Sequence, residues 1–110
     1  MKHLLSSSAF LIVNKNLVKQ IGLKPTIILA DLISKEQYFE TNHLLVDGWF
    51  FNTEKNIQDD TTLSPHQQRK ALQHLKELQI IETKRKGIPA KMHYKINTEI
   101  LVKFPNNKDY

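Results

Sequence analysis

Thr61-Thr62-Leu63-Ser64-Pro65-His66-Gln67-Gln68-Arg69-Lys70-Ala71-Leu72-Gln73-His74-Leu75-Lys76 is a run of sixteen residues without an acid. It opens as a helix opens. Ser64 can cap, Pro65 has the fixed φ that suits the first helical position, and Gln67 stands where a capping box places Glu or Gln. The spacing predicts a helix over 64–78. With about 100° of turn per residue, Ala71, Leu72, Leu75 and Leu78 share one arc, with Gln68 at its edge. The opposite arc carries His66, Arg69, Lys70 and Gln73. A merely solvated helix face mixes signs, often with Glu ahead of Lys. Here the first acid is Glu77, a turn beyond the start of the polar face.

The neighbours of this helix give it a context. Upstream, a helix is predicted from a cap at Asn52 or Thr53 to about Asp59, with Ile57 inward. Asp59-Asp60-Thr61-Thr62-Leu63 then reads as a turn, where Asp is favoured for local hydrogen bonding. Downstream, Ile80–Lys86 and Lys91–Asn97 read as a hairpin around Gly87-Ile88-Pro89-Ala90, with Met92, Tyr94 and Ile96 alternating toward one side. Residues 83–98 form a second acid-free run carrying Lys84, Arg85, Lys86, Lys91 and Lys95. Protection of an edge strand needs only one or two such lysines.

Further out, Asn14 can cap a short helix that stops at Gly22, and Pro25 is expected to start a second one. Ile27, Ile28, Leu29, Leu32, Ile33 and Phe39 make that helix apolar over more than one face, which suits a central position and a subunit interface. Phe10–Val13 reads as a short strand or a docked extended arm. Leu44–Phe51 has two β-prone runs around Asp47-Gly48 and reads as another hairpin. Trp49, Phe50 and Phe51 are assigned to the core; a base-stacking platform is disfavoured because nothing basic interleaves with them in sequence.

Composition narrows the function classes. The length of 110 residues suits one domain over 1–104, with 1–8 and 105–110 expected to be disordered tails. There is no cysteine, so disulfide and thiolate chemistry is excluded. The longest apolar stretch, Ile27–Ile33, is broken by Asp31, and three serines interrupt the apolar part of the N-terminus. A cytoplasmic protein with no membrane partner is expected. Residues 1–63 carry six lysines and seven acids for a sum of −1, whereas 64–110 carry ten cations and four acids for +6. Clustered positive charge of that kind suits a polyanion. The five histidines fall in no metal-ligand spacing, Glu54, Asp59 and Asp60 form no catalytic pair, and three glycines form no phosphate loop. No catalysis, no metal and no cofactor are expected.

Taken together, these features assign base readout to His66, Gln67, Arg69, Lys70 and Gln73, because Arg and Lys suit guanine, Gln suits adenine, and His can donate or accept. Thr53, Lys55, Ser64, Lys76, Lys84, Arg85, Lys86 and Lys91 are assigned to the DNA backbone.

Phe50-Phe51-Asn52-Thr53, Leu63-Ser64-x-x-Gln67-Gln68-x-x-Ala71-Leu72-x-x-Leu75, Ile80-Ile81-Glu82-Thr83-Lys84, Gly87-x-Pro89-Ala90-Lys91 and Tyr94 resemble the winged helix-turn-helix domains of phage and plasmid replication initiators and of DnaD-like N-terminal domains. The likeness runs from about Phe10 to Asn97. It implies an α+β, mostly α winged helix with an added N-terminal helical pair and two β-hairpins, Leu44–Phe51 and the wing Ile80–Asn97. It also implies sequence-specific binding of double-stranded DNA in replication initiation or transcription regulation, as a homodimer that meets replication or transcription proteins. Such domains commonly have Gly after the reading helix, where this chain has Gln79. The larger initiators carry further domains, so recognition without helicase loading is expected here. The alternative is a winged-helix adaptor that contacts proteins and has no DNA target.

Overall fold

The computed structural model describes residues 10–104; the expected tails, 1–8 and 105–110, lie outside the described residues. The chain is α+β and mostly helical. Its order is α1 (Lys15–Ile21), α2 (Leu23–Thr41), β1 (Phe50–Phe51), α3 (Glu54–Thr61), α4 (Pro65–Glu77), β2 (Ile81–Lys86), β3 (Lys91–Ile96) and α5 (Thr98–Leu101).

The central element is α2, which packs against α1, α3, α4 and β1. Its buried residues include the consecutive run Ile28, Leu29, Ala30, Asp31 and Leu32, so neighbours cover more than one face. The helix begins at Leu23, two residues before the expected start. Pro25 still lies in the first turn, where a backbone N–H has no intrahelical acceptor to lose. Gly22, at φ 100°, ends α1 and begins α2. The arm at Phe10–Val13 forms no strand, and its Phe10 and Ile12 line a groove along α2.

Two expectations change at the middle of the chain. Leu44–Phe51 is not a hairpin: Asp47 and Gly48 make the tight turn with positive φ, but pairing stops at one bridge between Val46 and Trp49. β1 pairs instead with β3, Phe50 opposite Tyr94 and Phe51 opposite His93, giving a three-stranded antiparallel sheet in the order β1-β3-β2. The longer β3 offers a continuous edge and a buried neighbour for Phe50, whereas Leu44 and Val46 are exposed. The helix α3 also runs on to Thr61, so Asp59 and Asp60 occupy its last turn, and the connection to α4 shrinks to Thr62-Leu63-Ser64.

One core cluster joins Leu17 and Ile21 of α1, Ile28, Leu29 and Leu32 of α2, Ile57 of α3, Ala71 and Leu75 of α4, and Phe50, Ile80, Ile81, Tyr94 and Ile96 around the sheet. The helix α4 ends in a Schellman motif, with Ile80 N–H donating to Leu75 O at 3.0 Å and Gln79 N–H donating to Lys76 O at 2.9 Å. Gln79 is left-handed at φ 64°, the conformation glycine would adopt without strain. Asn97 Nδ2 holds it there by donating to Gln79 O at 2.7 Å.

Asp31, only 3% exposed, lies within this framework with no hydrogen-bond partner for its Oδ2. Burial pushes its carboxyl up to about 7, helped by the neighbouring Asp60 carboxyl and opposed by Lys35. The folded state therefore keeps a proton that the unfolded chain releases near pH 4. The stabilisation is complete below that pH and is lost as pH rises through about 7.

Two outcomes follow for stability. The melting temperature should fall between about pH 4 and about pH 7, and Asp31→Asn, which fixes the neutral form, should flatten that slope. Gln79→Gly should add about 1 kcal/mol in urea unfolding by relieving the left-handed residue; a loss of stability would show that the glutamine side chain contributes more than its backbone costs.

Candidate nucleic-acid interface

The start of α4 is fixed by a capping box. Gln67 N–H donates to Ser64 Oγ at 3.2 Å, and Ser64 N–H donates to Gln67 Oε1 at 2.9 Å. Ser64 keeps its hydroxyl proton for a ligand, and Gln67 keeps its Nε2 donor. One turn in, Gln68 is fully buried, and its Nε2 donates to Glu54 O at 3.0 Å and to Leu63 O at 2.9 Å. This side chain links α4 to the first residue of α3 and to the turn between the two helices. Ala71 and Leu75 continue the inward face, with Leu72 and Leu78 partly buried against the same core.

His66, Arg69, Lys70, Gln73 and Lys76 are all exposed on the remaining surface of α4. Arg69 does not stand alone. Its Nη1 lies 3.2 Å from Glu54 Oε2, with both side chains more than half exposed. Such a surface pair contributes about 0–1 kcal/mol, so a phosphate or base edge can displace it. On the other flank, Gln67 and Lys70 border a small cleft of about 240 Å³ with Lys24 and Pro25 from the start of α2. Lys24 thus joins the basic surface, although nothing in its own stretch of sequence marks it.

The two residues assigned on α3 have partners of their own. Thr53 caps the helix by accepting the Asn56 N–H at 3.0 Å. Lys55 reaches Asp59 at 2.8 Å, and the hydrogen bond and charge of Asp59 raise the lysine's pKa.

The wing cations separate onto two faces. Arg85 is opposite Met92 and Thr83 opposite Tyr94, whereas Lys84 is opposite His93 and Lys86 opposite Lys91. Side chains alternate along a strand, so Arg85 shares the Tyr94 side, and Lys84, Lys86 and Lys91 share the Phe51 and His93 side. Glu54 and Arg85 both act on Tyr94. Burial pushes its hydroxyl up to about 12, Glu54 adds to the rise, and Arg85 opposes it. By the same alternation Arg85 shares its side of β2 with Ile81, which is packed into the core.

On the other face the lysines meet aromatic rings. Lys84 Nζ is 4.0 Å from the centre of the Trp49 ring, and Lys91 Nζ is 4.5 Å from that of Phe51. Phe51 also lies 5.8 Å from the His93 ring, centre to centre. The interleaving of cations and aromatics that is absent from the linear sequence is created by pairing β1 with β3. Only long-range register could have revealed it.

Among the described residues, no group of three or more His, Cys, Asp or Glu is placed to hold a metal, and no helix is long and apolar enough to cross a membrane. The geometry suits reversible contact with an anionic polymer through fixed donors and mobile cations.

Gln68→Ala should destabilise the fold by about 2–3 kcal/mol in urea, because it opens a cavity and takes the amide donor from the buried Leu63 carbonyl and the partly buried Glu54 carbonyl. A loss below about 0.5 kcal/mol would show that the two carbonyls reach water when the amide is removed. No family model, curated protein or solved structure matches this chain.

Proposed function

We propose that the protein is a winged helix-turn-helix that binds duplex DNA by placing α4 in the major groove, without catalysis. The observation that carries this reading is the exposed, acid-free N-terminal part of α4, held rigidly on α3 through Gln68. His66, Lys70 and Gln73 read base edges, with the Nε2 of Gln67 at the flank. Arg69 joins them when it leaves Glu54. The Ser64 hydroxyl, Lys76, Thr53, Lys55 and Lys24 hold phosphates around the helix. From the wing, Arg85 holds backbone on the α4 side, while Lys86 and Lys91 reach flanking phosphates past the Gly87–Ala90 tip, with Lys84 behind them. The site of action is the cytoplasm, and the role is replication initiation or transcription regulation.

An apolar groove of about 590 Å³ along α2, lined by Phe10, Ile12, Ala30, Ile33 and Tyr38, supports a homodimer. Ile12 is 90% exposed at its edge. A two-fold dimer would read half-sites about 10 base pairs apart or at a multiple of that spacing. The same groove is the observation that favours a second reading, an adaptor that contacts another protein and has no DNA target.

Selection from randomised duplex DNA should enrich one motif, repeated in line with the dimer. Gln73→Ala should then lose about 1–3 kcal/mol of discrimination at one base position, whereas Arg85→Ala should weaken all sequences alike and reduce the salt slope by about one. Glu54→Gln should tighten binding by freeing Arg69 and removing a negative charge. Failure to enrich any sequence, together with a protein partner that binds equally well in excess duplex, would establish the adaptor reading.

A further inference from the structure

The outer face of the sheet has the composition of a stacking site, and the duplex reading draws on its lysines but leaves its rings unused. Its floor is Phe51 and His93, paired across β1 and β3. Its wall is Trp49, brought over the sheet by the Asp47-Gly48 turn. That turn is seated closely on β3, since a Cβ at Gly48 would lie 3.3 Å from Cε of Lys95. Phe51 is braced from below by Phe39, edge to face at 5.0 Å. Lys84 and Lys86 stand along the same cleft, and Lys91 adjoins it over Phe51.

The cleft holds about 220 Å³. Pockets that enclose a whole small-molecule ligand run to about 300–1,000 Å³. A smaller, open cleft with several cations suits one flat ring inserted from a chain whose charged backbone stays outside. Lysines parked over Trp49 and Phe51 cover the rings weakly. When a base takes their place, the ammonium groups are released within reach of the adjoining phosphates. Base stacking on aromatic rings is stronger than an exposed cation–π contact, so the exchange is favourable. Asp47 at the rim offers an acceptor for a base N–H or amino group.

We infer that the Trp49–Phe51–His93 face, with Lys84, Lys86 and Lys91, binds single-stranded nucleic acid by stacking an unpaired base on Trp49 or Phe51 and pairing its flanking phosphates with the three lysines. This surface is distinct from the exposed face of α4, and the inference holds whether or not α4 meets a duplex.

Trp49 is the only tryptophan in the chain, so its fluorescence reports the site directly. Titration of the intact protein with an oligothymidylate of about 12 nucleotides should quench it, and inorganic pyrophosphate at equal charge should not. Labelled oligonucleotide anisotropy should show at least about a tenfold weaker Kd for Trp49→Ala and for the exposed double variant K84A/K86A. Gln73→Ala should leave the quench unchanged, which separates this site from α4. An oligouridylate arm assigns the sugar; quenching by either strand supports the proposal. It is overturned if a blunt duplex quenches as strongly as the single strand, if pyrophosphate reproduces the quench, or if the folded K84A/K86A protein binds with unchanged Kd.

Discussion

The carboxamide of Gln68 ties α4 to α3, and the exposed face of α4 is arranged around that junction. Its two N–H bonds go to carbonyls on either side of α3, one at its first residue, Glu54, and one at Leu63 in the turn that follows it. A leucine could fill the same space, but it would leave the buried Leu63 oxygen without its donor and would fix no angle. The arrangement has a cost. Oε1 of Gln68 is itself buried without a partner, and an unsatisfied buried polar atom costs about 1–3 kcal/mol. Directional hydrogen bonding is what the residue gives in return, since hydrophobic packing tolerates many crossing angles and a pair of short N–H···O contacts tolerates few.

The turns around this junction are tightened by residues in left-handed backbone conformations. Thr62 at φ 66° and Gln79 at φ 64° end α3 and α4, and Asp47 at φ 53° begins the turn that carries Trp49 over the sheet. None is glycine, and Thr62 is β-branched, for which this region is least favourable. Local bonds hold the first two in place. Thr62 N–H donates to Gln58 O at 2.7 Å, and Gln79 is held by the Schellman pair and Asn97. Short connections of this kind bring α4 back against α3 and send β2 away from the end of α4 with no slack.

What could be read from the sequence was local. Ser64, Pro65 and Gln67 announce a helix start through contacts within four residues, and the Ala71, Leu72, Leu75 and Leu78 arc announces its buried side. The structure has both. The wing hairpin was legible for the same reason, because Met92, Tyr94 and Ile96 alternate and Gly87–Ala90 breaks the run. Pairing of Phe50-Phe51 with β3 was not legible. Asp47-Gly48 is a genuine turn, and nothing nearby says that the second arm will leave it for a strand some forty residues later. The role of Gln68 was equally hidden, since a glutamine at the edge of an apolar arc reads as a boundary residue until its carbonyl partners are in place. Lys84-Arg85-Lys86 falls between these cases. Strand alternation alone requires three consecutive cations to separate, but which neighbours await them on each side depends on the tertiary fold.

That separation ties the surface chemistry to the interior. Pairing Ile81 with Ile96 and Phe50 with Tyr94 puts four apolar side chains into the core at once. Sliding β2 by a single residue would turn Ile81 outward and carry Arg85 to the lysine face, while Lys84 and Lys86 crossed to the side of α3. The three cations of β2 would change faces in one step while Lys91 of β3 stayed in place. The apolar residues that exclude such a slip therefore act as the key for the wing's charge pattern, so a cation's address on this protein is written in isoleucine, phenylalanine and tyrosine.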